Sequence, residues 1–347
     1  MWIGLVACLI VVTTAGGQEK SKIYYAIDTG VLGPQRVVRS SVVQRMVDSL
    51  VCNLTGKTTA GEAWLTLVAP SDTVGIKVSA AGRRVSGTHP EVVDAIVLGL
   101  RDAGVPADRI IVWDRNMEDL LAAGFRASGG GYQLLGVDPA TGYDLKAQVS
   151  APVLGKLIWG DRKFGDTSEK SFFERLADAE QLSSKSYFAS VLSKEVTKVI
   201  NVPSLTDSFL TGINGAIANM TISNLDNWRR FAKSAAAGDS YIAEIYADPL
   251  IQKKVILTIL DALVLQYAGG PFPNPNYLAD NLAIFASKDP VAIDATAIRL
   301  IDEIRLASKL PSIRRMTSYV EAGTQLGLGE YSEARIETVR VGVEGLR

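Results

Sequence analysis

Residues 74–115 carry a strand, a helix and a second strand in succession, and no other stretch limits the fold as tightly. Val74-Gly75-Ile76-Lys77-Val78 is a short apolar run of the kind buried in a parallel sheet. After a polar, glycine-containing loop comes Thr88-His89-Pro90-Glu91. Thr88 is expected as the N-cap, Pro90 in the first turn and Glu91 at N3, closing a capping box. Val92, Val93, Ile96, Val97 and Leu100 then recur at helical spacing, and Gly104 takes the position just past the helix end. A second strand is predicted over 110–113. Strand, helix and strand in this order predict a right-handed parallel crossover, the unit of an α/β fold.

The rest of the chain continues the alternation. Strands are predicted over 23–27, 64–68, 198–202, 255–260 and 282–286, with a final edge strand over 336–343. Helices are predicted over 37–54, 88–103, 215–220, 227–237 and 241–246. A helix from Pro290 to about Ala307 is capped by Asp289, and a last one covers 317–326. The expected architecture is a mainly parallel central sheet flanked by helices, with an irregular cap or insertion at 128–190.

The N-terminus differs from this pattern. Residues 2–15 are almost uninterruptedly apolar, too few for a comfortable membrane span and the right length for a signal-peptide core. Ala15 and Gly17 fit cleavage before Gln18, although no Lys or Arg precedes the run. The expectation is a signal peptide at 1–17 and a single mature α/β domain at 18–347. That domain would be periplasmic or secreted, without a membrane span. A retained anchor and a buried first strand are the alternatives. Leu5-Val6-Ala7-Cys8 has the look of a lipidation box, but the apolar run continues past Cys8. Cleavage would leave Cys52 alone, which excludes an internal disulfide, a zinc site of the usual kind and an iron–sulfur cluster. Basic and acidic residues number 36 and 37, and no basic stripe stands out, so nucleic acid is not expected as a partner.

Several blocks in order resemble the domain of unknown function 362 family. They are Val74–Val78, then Thr88-His89-Pro90-Glu91-Val92-Val93, then Asp102-Ala103-Gly104 leading to Ile110-Ile111-Val112-Trp113-Asp114. Next come Val199-Ile200-Asn201-Val202-Pro203, Thr211-Gly212-Ile213-Asn214-Gly215-Ala216 and Asn219. Ile259-Leu260-Asp261-Ala262, Gly270-Pro271, Ala286-Ser287-Lys288-Asp289-Pro290 with Asp294, and Gly327-Leu328-Gly329 complete the set. The resemblance covers about residues 70–330. Some members of that family carry iron–sulfur segments, and this chain resembles the exported, cluster-free kind. It departs from the pattern after Pro203, where a Lys and a His are common in the family and this loop reads Ser204-Leu205-Thr206-Asp207-Ser208. The family's Lys before the matching Asn is Ala218 here.

Ligands in open α/β sheets sit at the C-terminal strand edge. In a parallel sheet that edge would gather Lys77, His89, Asp114, the 204–215 loop, Asp261 and Asp289. Three readings follow. Asp261 and Asp289, with Glu91 and His89, could hold a divalent metal. Against this, Asp289 and Glu91 are accounted for by helix capping, and Asp261 by a strand-end turn. Thr206, Asp207, Gly212, Asn214, Gly215 and Asn219 could bind an anion through backbone N–H groups, aided by Lys77. Tight-turn geometry would equally explain the glycines, including Gly129-Gly130-Gly131, which lack the context of a nucleotide loop. His89, with Lys77, could do acid–base catalysis, while a capping or hydrogen-bonding role is the plainer account of His89. Asp294, in an apolar helix, needs a partner, and Lys77 and Arg115 are the candidates. The expected function is an exported small-ligand-binding protein or enzyme of unspecified reaction and cofactor. The alternative is a non-catalytic binding, structural or assembly subunit, as a homo-oligomer or with an extracytoplasmic partner. A third reading, an accessory to a redox system, rests on the family resemblance alone.

Overall fold

The computed structural model describes residues 20–126, 128–149, 185–236 and 240–343. The predicted signal peptide and the centre of the insertion lie outside them. The backbone is a mixed, mostly parallel sheet with helices on both faces. Its main path runs β12 (Ile336–Arg340), β1 (Ser21–Ile27), β11 (Leu278–Ser287), β10 (Val255–Gln266), β7 (Lys198–Val202), β2 (Val74–Val78), β3 (Ile110–Asp114) and β4 (Gln133–Gly136). A short branch, β8 (Ser204–Ser208) and β9 (Gly212–Asn214), leaves β10. A separate pair, β5 (Tyr143–Gln148) and β6 (Tyr187–Ala189), lies within the predicted insertion, whereas β4 ends the main sheet.

The two faces of the sheet have different cores, and side-chain alternation along the strands sorts residues between them. Val74, Ile76 and Val78 of β2, with Ile110 and Val112 of β3, pack on the helices Ser40–Thr55 and Pro90–Asp102. Ile111 and Trp113 face the other way, towards the helices Ala216–Met220 and Pro290–Ala307. Lys77 is out of phase with the apolar residues of β2 and lies on this second face. Gly75, beside it, leaves room for the Trp113 ring: a Cβ there would meet Trp113 at 2.5 Å.

The strand–helix–strand unit forms as its sequence predicts, with β2, β3 and β7 in parallel register. Three local expectations are corrected. The segment predicted as a strand at 64–68 opens inside the helix Ala60–Leu65, because Thr59 caps that helix and Trp64 is buried against Gly99. The polar stretch after Pro203 is a short antiparallel ribbon, β8 with β9, rather than a loop. Thr88 does not cap its helix. Its hydroxyl donates to Val202 O and accepts from Ser79 N, and His89 occupies the N-cap position without a side-chain cap bond. Asp289 caps the helix Pro290–Ala307 as expected, through Ala292 N. Among the described residues, no helix is long and apolar enough to cross a membrane.

Candidate functional site

Lys77, Asp114 and Asn219 do meet at the C-terminal edge, but beneath it. Lys77 is 0 % exposed. Its ammonium donates to Val78 O at 2.7 Å, Asp114 Oδ1 at 2.8 Å and Asn219 Oδ1 at 3.0 Å. An ammonium has three protons, and here each has an acceptor. Asp114 is equally committed, accepting Ala80 N through Oδ2 and Arg115 N through Oδ1. Asn219 Nδ2 donates to Asn201 Oδ1, and Asn201 Nδ2 to Ala216 O. Burial, opposed by Asp114, pushes the Lys77 pKa below its ordinary value. With every proton bonded and the side chain fully buried, Lys77 joins β2, β3 and the helix Ala216–Met220.

The 206–219 segment is likewise turned inward. Thr206, Asp207, Gly212, Gly215 and Asn219 are buried, and Asn214 is half-buried with its amide on Ser79 Oγ. Asp207 holds Gly270 N at 2.8 Å. The backbone N–H groups that suggested an anion site are already taken by a carboxyl group of the chain. Asp294 Oδ1 accepts Ala216 N at 2.5 Å, and Oδ2 accepts Ile217 N at 3.0 Å. This corrects the expected partner of Asp294, which is a helix N-terminus rather than Lys77 or Arg115. Arg115 is held elsewhere, donating to Ile222 O and Leu225 O with its guanidinium over the Trp228 ring. Gly215 is required because a Cβ there would stand 2.2 Å from Asp294 Oδ1. Burial raises the Asp294 pKa to about 7, against the pull of those two N–H groups.

His89 and Asp261 are brought together. Asp261, on β10, is 1 % exposed. Its Oδ2 accepts His89 N at 2.7 Å and meets His89 Nδ1 at 2.8 Å, while Oδ1 accepts Leu263 N at 3.2 Å. A carboxylate in this position assigns the proton to Nδ1 and leaves Nε2 as the working nitrogen. The imidazole keeps 12 % exposure. Burial opposes its charge, but Asp261 and then Glu91 outweigh burial and raise its pKa above the ordinary imidazole value.

Asp289 does not join them. β11 runs antiparallel to β10, with Ile284 opposite Asp261 and Ser287 opposite Thr258, so Asp289 falls at the far end of the sheet. The separation along the strand is roughly 15 Å at about 3.3 Å per residue. Its carboxylate is occupied by Ser21 Oγ, Ala292 N and Glu330 N. The metal pair Asp261 and Asp289 is therefore not formed. Among the described residues no group of three His, Cys, Asp or Glu side chains is placed to hold a metal. Cys52 is buried and free.

His89 opens onto a groove of about 1050 Å³. One side is the helix Pro90–Asp102, presenting Glu91, Asp94 and Arg101. Other walls come from Arg36, the Arg83–Ser86 turn, and Gly124 with Arg126 and the 129–131 glycines. Of the side chains weighed in the sequence as ligands or catalysts, His89 and Glu91 line this groove, with the 129–131 glycines on its wall. Its five arginines were missed because they fall in four separate segments. The one local signal was the adjacent pair Arg83-Arg84 between glycines.

Comparison with known proteins adds the following. Among solved structures, a crystal structure of a Thermotoga maritima protein from a structural genomics consortium is similar at 8 % identity and a TM-score of 0.40. The alignment covers 83 % of this chain and 59 % of that one, so this chain spans less than two thirds of its length. None of the curated proteins matches the sequence. The model of the Domain of unknown function (DUF362) matches residues 74–299, well over half of the chain, from β2 to the middle of the last long helix. The chain belongs to this family.

Proposed function

We propose that the chain binds a small ligand in the groove beside His89 and exchanges a proton with it through His89 Nε2. The observation that carries this reading is the His89–Asp261 pair: a solvent-reaching imidazole whose other nitrogen is fixed at 2.8 Å by a buried carboxylate. A carboxylate so placed holds the tautomer and stabilises the imidazolium that forms when Nε2 takes a proton. Lys77 has no part in it. The ligand reading thus moves from the 206–219 segment to the groove.

His89 is the only histidine in the chain, so untagged protein labelled with nitrogen-15 histidine gives a single imidazole reporter. Titrating a library of small metabolites should move that resonance and shift its pKa. Ligands that bind and leave it unmoved would overturn the proton-exchange reading. A second reading, a non-catalytic binding or assembly subunit, is favoured by the saturation of Lys77, Asp114 and Asn219 inside the fold. It requires binding with no dependence on His89. Export is also part of the proposal, supported by the apolar run at residues 2–15 and the Ala15 and Gly17 cleavage pattern that follows it. N-terminal sequencing should find Gln18 first in the exported protein, and Met1 retained would refute cleavage.

A further inference from the structure

We infer that the groove recognises a phosphate-bearing ligand, through Arg84, Arg101 and Arg126. This rests on the groove being the binding site proposed above and specifies the ligand class. Five guanidinium groups line the groove, from Arg36, Arg83, Arg84, Arg101 and Arg126, against the carboxylates of Glu91 and Asp94. Two of the five are already paired. Arg36 reaches Asp280 at 2.5 Å, and Arg83 reaches Asp119 at 3.4 Å and Glu118 at 3.7 Å. Arg84, Arg101 and Arg126 make no ion pair or hydrogen bond with any side chain among the described residues. Arg126 lies close enough to Asp94 to oppose the rise in that carboxyl's pKa, while Arg84 and Arg101 have no acidic partner among the described residues.

Their placement is specific. A Cβ on Gly124 would stand 3.1 Å from Arg84 Nη2, and one on Gly131 would stand 3.6 Å from Arg101 Nη1. Both guanidinium tips therefore lie against the wall that also carries Arg126. The two glycines have φ of 102° and 73°, a backbone that favours glycine, and a side chain at Gly124 would press on Arg84. A planar guanidinium matches the oxygens of a phosphate with paired N–H donors, and three of them offset a dianion better than one surface charge can.

The backbone supplies a separate argument. Among the described residues five non-glycine residues have positive φ, and three of them, Gln35 at 56°, Arg36 at 58° and Arg83 at 51°, line this groove. Such conformations each cost on the order of 1 kcal/mol or more and gather at binding sites, where surrounding structure holds them for function. His89 and Arg101 stand at opposite ends of the helix Pro90–Asp102, roughly 18 Å apart along its axis at about 1.5 Å per residue. The test of the inference concerns binding alone.

The probe is inorganic phosphate, titrated against the full protein at constant ionic strength set by chloride, with thermal unfolding as the readout. Succinate and sulfate are run in parallel. The expected result is a saturable rise in Tm with phosphate, larger than with either comparison ion. Arg84→Gln, Arg101→Gln and Arg126→Gln should each weaken apparent affinity roughly tenfold, about 1.4 kcal/mol. Arg335→Gln, which removes an exposed arginine paired with Glu330 outside the groove, should leave it unchanged. An equal response to all three ions, or a phosphate response retained in the three groove variants, would overturn the inference. If library metabolites without phosphate move the His89 resonance and phosphate does not bind, the phosphate inference fails and the proposed function stands. If phosphate binds and no ligand moves His89, the proton-exchange reading fails and the phosphate site stands.

Discussion

Lys77 and His89 sit at the same edge of the same sheet, twelve positions apart, and do opposite things with their charge. Lys77 is sealed below the edge and spends all three protons on the fold. His89 gives one nitrogen to Asp261, and its ring lines a groove. Residue type and strand-end position alone do not separate a scaffold from a site. What separates them is whether hydrogen-bonding capacity remains after the fold has taken its share.

The comparison breaks first at Lys77. Lys77→Met should be the most damaging substitution in the region, costing about 3–5 kcal/mol, because it strands the Asp114 carboxylate in a buried site. Denaturant unfolding measures this. A loss under about 1 kcal/mol would mean that solvent reaches the cluster, and that Lys77 is closer to the groove residues in kind than its burial indicates.

Asp294 extends the scaffold side of the comparison to the next layer. Asp294→Ala leaves Ala216 N and Ile217 N without an acceptor, at about 1–3 kcal/mol for an orphaned buried donor. The loss is partly offset because charging this buried carboxylate is itself unfavourable. Its folded pKa, about 7, lies above the value of 3.8 for a free side chain. Between those values the folded chain holds a proton that the unfolded chain has released, so stability falls as pH rises through that window. Asp294→Asn should remove this part of the slope. An unchanged pH profile in Asp294→Asn would place the titration on another group.

The scaffold was more legible in the sequence than the site. Short-range signals did their work: hydrophobic period, capping and C-terminal glycine located the helices Pro90–Asp102 and Pro290–Ala307 almost to the residue. Strand direction is not a local property. The antiparallel return of β11 moved Asp289 to the opposite end of the sheet, and nothing in 278–289 announces it. The same limit hid the Asp294 bond to Ala216, which joins positions 78 residues apart. His89 was recognisable as a polar residue at a helix start, but its carboxylate partner lies 172 residues away. The groove arginines come from four segments that only the tertiary fold assembles. Thr88 shows the converse error, since a convincing capping box lost to a buried hydrogen bond with Val202.

The smallest effect on stability belongs to the site itself. His89→Gln removes the imidazole from Asp261 while the main-chain N–H of residue 89 still reaches the same carboxylate at 2.7 Å. The expected loss is about 1 kcal/mol, since one charge-assisted bond goes and one remains. Its pH dependence is the sharper signature. The folded pKa of His89 is raised above its ordinary value of 6.5. The stabilisation from the charged pair is therefore complete below about that pH and drains away as pH rises through the folded pKa. The stability gap between the native chain and His89→Gln should be widest in mild acid and close in mild alkali. A gap that is flat with pH would mean that the ring stays neutral beside Asp261. His89 would then belong with Lys77, as a group the fold has already used.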